Sequence, residues 1–470
     1  MKAGIFERIL EFDWSKLPNL LLLIFVFVIS RLPLLNLGFG LDADAWRIAN
    51  SAFDLRYHGV YHASRFPGYP LLEFLNAAVI QFGWVATNSL TMLVSLISVI
   101  TFVQILKTLD CRKGGLLTIT YAFLPLLWQN STNTMDYMWA LCFIMFVWLF
   151  LLNKKWVIAG LMMGLTLGSR PQAAVLIPPC LFLIYHHDRN VKDVARFLLA
   201  SLFATGFLFS PLFLTYGLTF IRHYPAQTSI FQIGYQTIKQ IGLPATLSLL
   251  ILLITSRRGL RSMITEQNRN DMFILLCVIL VLISFAATPY HLEYIILAIP
   301  FGLMLLYRIG SRPFVVLFSV LLLLHAFVTI GGFQHNVDGE ITPRLIAQGA
   351  MSSNAGERKQ QLVLAENLNQ TSIDNHSIVI AGPWLPILAY LDDEVSSTVG
   401  VKKMYDSNRP GAGVWNFQRD ISYRYLLHLD EVKALKAKNY RIYYITRVRE
   451  FTEDIHGYDL DDYGAVYLSV

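Results

Sequence analysis

Charged side chains are scarce in this chain, and their scarcity excludes an ordinary soluble protein. Only 15% of the 470 residues are Asp, Glu, Lys or Arg, whereas soluble domains carry about 25%. Hydrophobic residues make up 55% of the chain, and long apolar runs recur between residues 17 and 333. Runs of about 20 apolar residues are long enough to cross a bilayer as α-helices. The composition therefore predicts a polytopic α-helical membrane protein.

Cysteine is also rare, with four residues in the whole chain: Cys111, Cys142, Cys180 and Cys277. No two of them have the spacing of metal ligands, so the sequence predicts neither a disulfide framework nor a zinc site. The net charge of +6 does not indicate nucleic-acid binding, because much of the excess Lys and Arg lies in short loops. In such loops positive charge sets the orientation of the neighbouring spans.

Positive charge collects in every second loop, and this pattern predicts the topology. The basic loops are residues 107–113, 153–155, 186–196, 257–269 and 308–312. If these loops and the N-terminus are cytoplasmic, the apolar spans between them come in pairs. The pairs are 114–130 with 135–152, 156–170 with 172–186, 196–216 with 241–256, and 272–288 with 291–307. An uncleaved first span at Leu20–Leu35, a second at 88–106 and a last at 313–332 bring the prediction to about 11 spans, with the C-terminal tail outside.

A short apolar stretch at residues 70–84 decides the placement of the first loop. It holds about 14 residues, too few to cross the hydrocarbon, and Glu73, Asn76 and Gln81 interrupt it. This pattern favours a helix that lies at the membrane interface. Residues 36–87 are therefore predicted to form one long loop on the outer face.

The tail differs from the rest of the chain in its turn residues, short β-branched runs and helical stretches. Its predicted strands are Ser377–Ile380 and Arg441–Thr446, and its predicted helices are Glu357–Asn367 and Asp430–Lys438. The chain is thus predicted to divide into a transmembrane domain, 1–333, and a small extracytoplasmic α/β domain, 334–470. The tail sequence shows no phosphate-binding loop, metal cluster or nucleophile motif.

Two carboxylates, Asp42 and Asp44, follow the first span directly. Carboxylates at a membrane boundary are costly and are usually retained for function. Two aspartates one residue apart suit a general base with a partner, or a pair that holds a divalent metal. The alternative is that one of them caps the following helix, 44–57. Capping accounts for one carboxylate and not for both.

The same loop carries His62, Arg65 and Tyr69 around a rigid Pro-Gly-Tyr-Pro turn. Arginine is suited to bidentate contact with phosphate, and the turn is predicted to hold Arg65 at the depth of lipid headgroups. His62 is a second candidate for phosphate, and Tyr69 is a candidate for substrate binding. The alternative is that the basic side chain extends to the lipid headgroups and binds no substrate.

Later outer turns hold a second set of candidates. Asp136 and Arg170 lie in two short turns on the predicted outer side, where positive charge is disfavoured. His291, Glu293 and Tyr294 lie at the outer start of the tenth span. We expect Arg170 to contact an anion and the other four residues to contact substrate. Helix capping and interfacial anchoring by tyrosine are the alternatives.

Together these residues resemble the GT-C superfamily of integral-membrane glycosyltransferases, which includes protein O-mannosyltransferases and the aminoarabinose transferases of lipid A. An acidic motif follows the first span, here Asp42-Ala43-Asp44 with Arg47 three residues further on. A proline-containing turn, Arg65 to Leu71, leads into a juxtamembrane helix, and a polar cluster precedes a late span that ends at Pro300. The resemblance covers most of residues 1–333 in architecture and the first loop in motif. Asp-Ala-Asp stands in place of the superfamily's adjacent Asp-Glu, which leaves open which aspartate is the base.

The resemblance implies a polyprenyl-phosphate sugar as donor and a protein, lipid or glycan hydroxyl as acceptor, without a nucleotide. Asp44 would deprotonate the acceptor, and Asp42 would orient it or help to hold Mg²⁺ or Mn²⁺. Arg65 and Arg170 would neutralise the leaving phosphate. A base on one face and positive charge on the other suit a single, inverting displacement at an anomeric carbon. The expected location is a prokaryotic plasma membrane, with the site on the outer face.

Two other function classes stay open from the sequence. A polymerase or ligase of lipid-linked glycans would share the donor chemistry and the topology. A transporter would place ionisable residues near the middle of the bilayer in broken, repeated spans. The predicted spans are largely free of charge at that depth, which argues against transport.

Overall fold

Helices dominate the chain. The computed structural model describes residues 12–111, 114–221, 230–266, 268–289, 291–335, 341–370, 373–392, 413–416, 419–445 and 458–468. The first α-helices are α1 Leu17–Arg31, α2 Ala43–Tyr57, α3 Pro70–Val79, α4 Gly83–Thr108, α5 Gly114–Phe123, α6 Pro125–Asn130, α7 Tyr137–Leu152, α8 Trp156–Ser169, α9 Ile177–Asp188 and α10 Val191–Tyr216. The later ones are α11 Ile230–Ile241, α12 Leu243–Thr255, α13 Arg257–Glu266, α14 Arg269–Ala287, α15 Ile299–Ile309, α16 Arg312–His325, α17 Ala350–Gln370, α18 Leu385–Leu391 and α19 Leu429–Ala437. The strands are β1 Val328–His335, β2 Ile341–Gln348, β3 Ser377–Ile380, β4 Gly413–Asn416, β5 Ile421–Arg424, β6 Arg441–Ile445 and β7 Val466–Leu468.

The chain divides into two compact units. The first consists of Met1–Asn36, Asn88–Ser210 and His223–Ala355, and the second of Leu37–Thr87, Pro211–Arg222 and Gly356–Val470. The sequence predicts one domain boundary, after residue 333, with the whole tail as a separate domain. In the structure the first loop groups with most of the tail, and the hairpin of β1 and β2 stays with the first unit.

Several helices are candidates to span a membrane. Among the described residues, five are long and apolar enough: Leu17–Leu34, Pro70–Thr108, Val191–Tyr216, Arg269–Ala287 and Leu292–Ile309. A sixth results if Ile233–Ile241 and Leu243–Thr255, which meet at 105°, form one broken span. These helices agree with the predicted multi-span membrane protein. The count of about 11 spans and their orientation stay predictions, because four further apolar helices (α5, α7, α8 and α16) have only 10–17 residues.

One predicted segment differs from the structure. The last predicted span, 313–332, is helical only as far as His325, and a strand begins at Val328. The β-branched residues Val328, Thr329 and Ile330 favour an extended backbone there. Residues 70–79 are helical, but by length and composition they run on with α4 as one candidate span of 39 residues. The interfacial position of this helix therefore stays a prediction.

Three glycines let α8 approach α10 closely. Gly160, Gly164 and Gly168 lie four residues apart, so they share one face of α8. A Cβ atom at Gly160 would stand 2.3 Å from the carbonyl oxygen of Phe197, and one at Gly164 would stand 2.4 Å from Cβ of Ala204. Stripes of small residues bring helix backbones together in this way inside membranes.

The other side of α10 is apolar and exposed. Leu199, Leu202, Phe203 and Phe207 expose between 67% and 72% of their surface, at the spacing of one helix face. A continuous exposed apolar face of this kind marks a surface that contacts membrane or protein. It suits contact with lipid chains and agrees with α10 as a membrane span.

We expect Gly164→Leu to lower the yield of folded protein strongly, because a side chain there cannot fit against Ala204 and Ser201. Overpacking of this kind costs about 1–3 kcal/mol or more. The matched control is Gly206→Leu in α10, where an added Cβ meets no atom within 4 Å. The monodisperse fraction after size-exclusion chromatography in detergent measures the difference. Equal recovery of the two variants would contradict the close helix approach.

The described part of the tail contains the predicted strands and helices around a mostly parallel sheet, and Thr446, the predicted end of one strand, lies outside the described residues. Its five strands have the order β4-β5-β3-β6-β7. β3 pairs in parallel with β5 and β6, β6 pairs in parallel with β7, and β4 runs antiparallel to β5. Ile378, Val379, Ile442 and Tyr444 are buried in its core, as expected for parallel strands covered on both faces.

Hydrogen bonds fasten the first loop to the tail within the second unit. Arg358 of α17 donates to the carbonyl oxygens of Leu37 and Gly38, each at 3.0 Å. Asn50 of α2 donates to the carbonyl oxygen of Pro386 in α18 at 2.9 Å. Burial lowers the pKa of Arg358 to about 10, so its guanidinium stays charged at neutral pH. The tail thereby holds in place the helix that carries Asp44.

Candidate functional site

The first predicted carboxylate caps a helix. α2 begins at Ala43, and the side chain of Asp42 accepts a hydrogen bond from the backbone N–H of Asp44 at 2.9 Å. An aspartate at this position satisfies one of the N–H groups that have no partner inside the helix. The cap fixes the start of the helix, and a direct chemical role of Asp42 stays a prediction.

The second carboxylate, Asp44, is held by two arginines. Arg47 lies one turn further along α2 and contacts Oδ1 of Asp44, while Nε of Arg65 donates to Oδ2 at 2.9 Å. The side chains of Asp44, Arg47 and Arg65 expose 23%, 9% and 14% of their surface. We call these three residues the Asp44 cluster. Two guanidinium groups converge on one carboxylate, and the same two groups match the contacts that arginine makes to a phosphate.

The turn around Arg65 fixes the position of its guanidinium. The guanidinium carbon lies 3.8 Å from the ring centre of Tyr69, a cation–π contact. Oε1 of Glu73 accepts from the backbone N–H of Ser64 at 2.8 Å and from its hydroxyl at 2.6 Å. Oε2 of Glu73 accepts from the hydroxyl of Tyr61 at 2.7 Å. In the sequence Glu73 only interrupts an apolar run, whereas in the structure it organises the turn.

We expect Glu73→Ala to loosen this turn, because the side chains of Ser64 and Tyr61 and one backbone N–H lose their acceptor. Each buried donor left without an acceptor costs about 1–3 kcal/mol. Glu73→Gln keeps one acceptor oxygen and is expected to lose less. The rate of tryptic cleavage after Arg65 in detergent-solubilised protein measures the loosening. The same slow cleavage in wild type and both variants would contradict this role of Glu73.

His62 lies apart from the predicted phosphate chemistry. It is only 3% exposed, and its Nδ1 lies 3.5 Å from Oδ2 of the buried Asp54. His58 lies on the other oxygen of Asp54, at 3.7 Å. A phosphate contact would require the imidazole of His62 to leave this buried position. The geometry favours a structural role, and phosphate binding by His62 stays a prediction.

In the first unit, Asp136 and Arg170 form a buried ion pair. Nη1 of Arg170 lies 2.5 Å from Oδ2 of Asp136, and the two side chains expose 4% and 0% of their surface. Asp136 occupies the N-cap position of α7, but its side chain makes no capping hydrogen bond. The guanidinium carbon of Arg170 lies 4.4 Å from the ring centre of Tyr137 and 4.6 Å from that of Tyr294. Arg170 is therefore held by a carboxylate and two aromatic faces.

A small recess adjoins this ion pair within the first unit. Its lining includes Arg170, Gln172, Ser284, Thr288 and Tyr294. His291 is exposed, with its ring centre 5.9 Å from that of Tyr294, and Glu293 is half-buried. Tyr294 thus lies close to both Arg170 and His291.

The predicted site residues fall into the two units. Asp42, Asp44, His62, Arg65 and Tyr69 belong to the second, and Asp136, Arg170, His291, Glu293 and Tyr294 belong to the first. The expectation that Arg65 and Arg170 act on one phosphate stays a prediction. The role of each in binding substrate stays a prediction as well.

Tyr425 is a candidate that the sequence does not indicate. It follows β5, and its carbonyl oxygen accepts from the N–H of Gly382, just beyond β3, at 2.9 Å. Burial raises the pKa of Tyr425, and the charge of Arg47 acts in the opposite direction. Its hydroxyl is therefore a hydrogen-bond donor at neutral pH within the electrostatic reach of Arg47. The carboxyl ends of parallel strands are common places for ligand binding, but no local motif marks this tyrosine.

A divalent cation does not fit the Asp44 cluster in this arrangement. Guanidinium groups engage both carboxylate oxygens of Asp44, and an oxygen of Asp42 accepts from a backbone N–H. Mg²⁺ needs oxygen ligands at close range, and two neighbouring cations oppose its approach. Within the described ranges, no group of three His, Cys, Asp or Glu residues is placed to hold a metal ion. The arrangement suits an anion.

Comparison with known proteins gives no relative from which a function follows. No protein-family model, no curated protein and no solved structure matches the chain. The class of protein therefore rests on the features of the chain itself. These are its apolar helices and a half-buried carboxylate, held by two arginines, that follows the first apolar helix in the sequence.

Proposed function

We propose that this protein is a GT-C-type membrane glycosyltransferase that transfers a sugar from a polyprenyl phosphate to an acceptor hydroxyl. The observation that carries the proposal is the contact of Asp44 with both Arg47 and Arg65. A carboxylate beside two guanidinium groups provides a proton acceptor and a phosphate-binding charge within a few ångströms. The resemblance of the first loop to the GT-C acidic motif supports the same assignment.

In this reaction the acceptor oxygen attacks the anomeric carbon of the sugar. Its proton passes to the carboxylate of Asp44 as the new carbon–oxygen bond forms. The bond between the anomeric carbon and the phosphate oxygen breaks, and its electron pair leaves with the polyprenyl phosphate. Arg47 and Arg65 stabilise the charge that develops on the leaving phosphate. Attack and departure on opposite faces invert the configuration of the anomeric carbon.

Asp42, Glu73 and Tyr69 support this chemistry by position. Asp42 fixes the first turn of α2, Glu73 holds Ser64, and Tyr69 lies against the guanidinium of Arg65. About 11 spans, a cytoplasmic N-terminus and an outer-face site complete the proposal. These follow from the loop charges, since Lys and Arg concentrate in every second loop.

Turnover of a panel of radiolabelled polyprenyl-phosphate sugars by the purified full chain tests the proposal. Acceptors are supplied as a crude membrane fraction. Release of polyprenyl phosphate from one donor, with label in an acceptor, is the expected result. Transfer of whole lipid-linked glycans and not of single sugars would favour a polymerase or ligase. No reaction with any donor would overturn the proposal.

A transporter is the second candidate, and two observations favour it. α11 and α12 meet at 105° within a candidate broken span, and the Asp136–Arg170 pair is a buried ionisable pair among apolar helices. Broken helices and buried charges are typical of transport pathways. Uptake of labelled polyprenyl phosphate sugar into proteoliposomes without sugar transfer would favour this function.

A further inference from the structure

We propose that the carboxylate of Asp44 occupies the phosphate position on Arg47 and Arg65 until a donor arrives. The phosphate of the donor then displaces the carboxylate and frees it to act as the base. This inference rests on the proposed glycosyltransfer for its consequence, but its first step is a binding event that is measured by itself. The exchange makes the carboxylate of Asp44 available as a base only when a sugar donor is bound.

The carboxylate uses the same contacts that a phosphate would use. Its two oxygens reach two different guanidinium groups, Oδ1 towards Arg47 and Oδ2 towards Nε of Arg65 at 2.9 Å. Two oxygens of a phosphate group present the same pair of acceptors to arginine. Each guanidinium draws electron density from the carboxylate, so Asp44 takes a proton from an acceptor hydroxyl more readily once a phosphate has replaced it on at least one arginine.

Asp44 has the most exposed side chain of the cluster. Arg65 lies against the ring of Tyr69 at 3.8 Å, and its turn is held by Glu73. The side chain of Arg47 is 9% exposed, whereas that of Asp44 is 23% exposed. The cap made by Asp42 holds the backbone of α2, so a rotation of the Asp44 side chain suffices. A carboxylate that is more exposed than the two arginines it contacts favours exchange of the carboxylate.

The charges support the exchange. Asp44 carries one negative charge, and a polyprenyl-phosphate sugar is a phosphodiester with a single negative charge. Donor binding therefore puts one negative charge in place of another on the two arginines. After transfer, the proton on Asp44 removes its negative charge, and the leaving phosphate monoester carries nearly two charges at neutral pH. The two arginines balance them, so the same cluster accommodates donor and product.

The test is the affinity of the purified full chain for a short-chain polyprenyl monophosphate, measured by calorimetry in detergent. If the carboxylate competes with phosphate, Asp44→Asn binds about 10-fold to 100-fold more tightly than wild type, because a charged contact no longer has to break. Arg65→Gln binds at least tenfold more weakly. Asp44→Ser, which cannot bridge the two arginines, is the second variant and is expected to behave like Asp44→Asn.

The matched control is Asp42→Asn. It removes the same charge two residues away, and asparagine caps a helix as well as aspartate does. We expect the phosphate affinity of this variant to differ from that of wild type by less than about threefold. Such a result would show that tighter binding by the Asp44 variants comes from direct competition and not from long-range charge. Weaker phosphate binding by both folded Asp44 variants would overturn the inference. Asp44 would then be a structural residue that holds the two arginines in position. Equal tightening in Asp42→Asn would also overturn it, because charge alone would then explain the effect.

The sources of phosphate are distinguished with inorganic phosphate and with nanodiscs of phosphatidylglycerol. Tightening in the Asp44 variants for polyprenyl phosphate and inorganic phosphate, but not for phosphatidylglycerol, supports the donor site. Tightening for phosphatidylglycerol alone would overturn it in favour of a lipid-headgroup contact. If the Asp44 variants bind phosphate more tightly and wild type transfers no sugar, the exchange stands and the glycosyltransfer fails. If wild type transfers sugar and the Asp44 variants bind phosphate more weakly, the glycosyltransfer stands and the exchange fails.

Discussion

Asp44→Asn is expected to lower sugar transfer by about 10²-fold to 10⁴-fold, the usual contribution of a general base. Asparagine keeps the size of the side chain and one oxygen for Arg47 or Arg65, but it cannot accept the proton of the acceptor hydroxyl. The loss should therefore lie in turnover and not in donor binding. Asp42→Asn should lose far less, because Asp42 acts through the backbone of α2.

The measurement is the initial rate of transfer at saturating donor for wild type and the two variants. Size-exclusion profiles and melting temperatures in detergent confirm that each variant is folded. If Asp44→Asn retains a tenth or more of the wild-type rate, Asp44 is not the base. Loss of turnover in Asp42→Asn with retention in Asp44→Asn would assign the base to Asp42 instead.

Removing one partner of the Asp136–Arg170 pair is expected to destabilise the first unit by about 3–5 kcal/mol, because it leaves a buried charge uncompensated. The side chain of Arg170 is 4% exposed and that of Asp136 is 0% exposed, and 2.5 Å separates Nη1 of Arg170 from Oδ2 of Asp136. Asp136→Leu leaves Arg170 with the rings of Tyr137 and Tyr294 but without this carboxylate. Arg170→Met leaves the carboxylate of Asp136 in the same apolar surroundings.

The double variant Asp136→Leu/Arg170→Met is the informative comparison. Replacing both members of a buried ion pair by apolar residues is often neutral or stabilising, so the double variant should be more stable than either single variant. Thermal unfolding in detergent ranks the four proteins, and His291→Ala, an exposed position, is the control. Additive losses in the double variant would show that the two charges do not depend on each other.

Much of the fold follows from local sequence. The apolar runs predict helices because each run satisfies its backbone hydrogen bonds within itself. Ser377–Ile380 is a strand as predicted, since its β-branched residues fit a buried parallel sheet. The last apolar run was harder to delimit, because hydrophobicity continues past His325 while the backbone becomes extended. Apolar character alone does not separate a helix end from a buried strand.

The candidate site was predictable only in part. Asp42-Ala43-Asp44 indicates a helix start and a second carboxylate with a different role, because a cap and its helix are neighbours in the chain. The sequence does not indicate that Arg65 contacts Asp44, or that Glu73 holds Ser64. Both depend on how a turn folds back on a helix.

By itself, then, the sequence determined that apolar helices dominate the chain and that a helix begins after Asp42, because these follow from local hydrophobicity and helix capping. The tertiary structure alone decided the partners of the charged groups. It joins Arg170 to Asp136, and Asn50 to the carbonyl of Pro386. These contacts link residues far apart in the chain, and no periodic pattern records them. They form because a buried charge or amide is stable only beside a partner that packing brings to it.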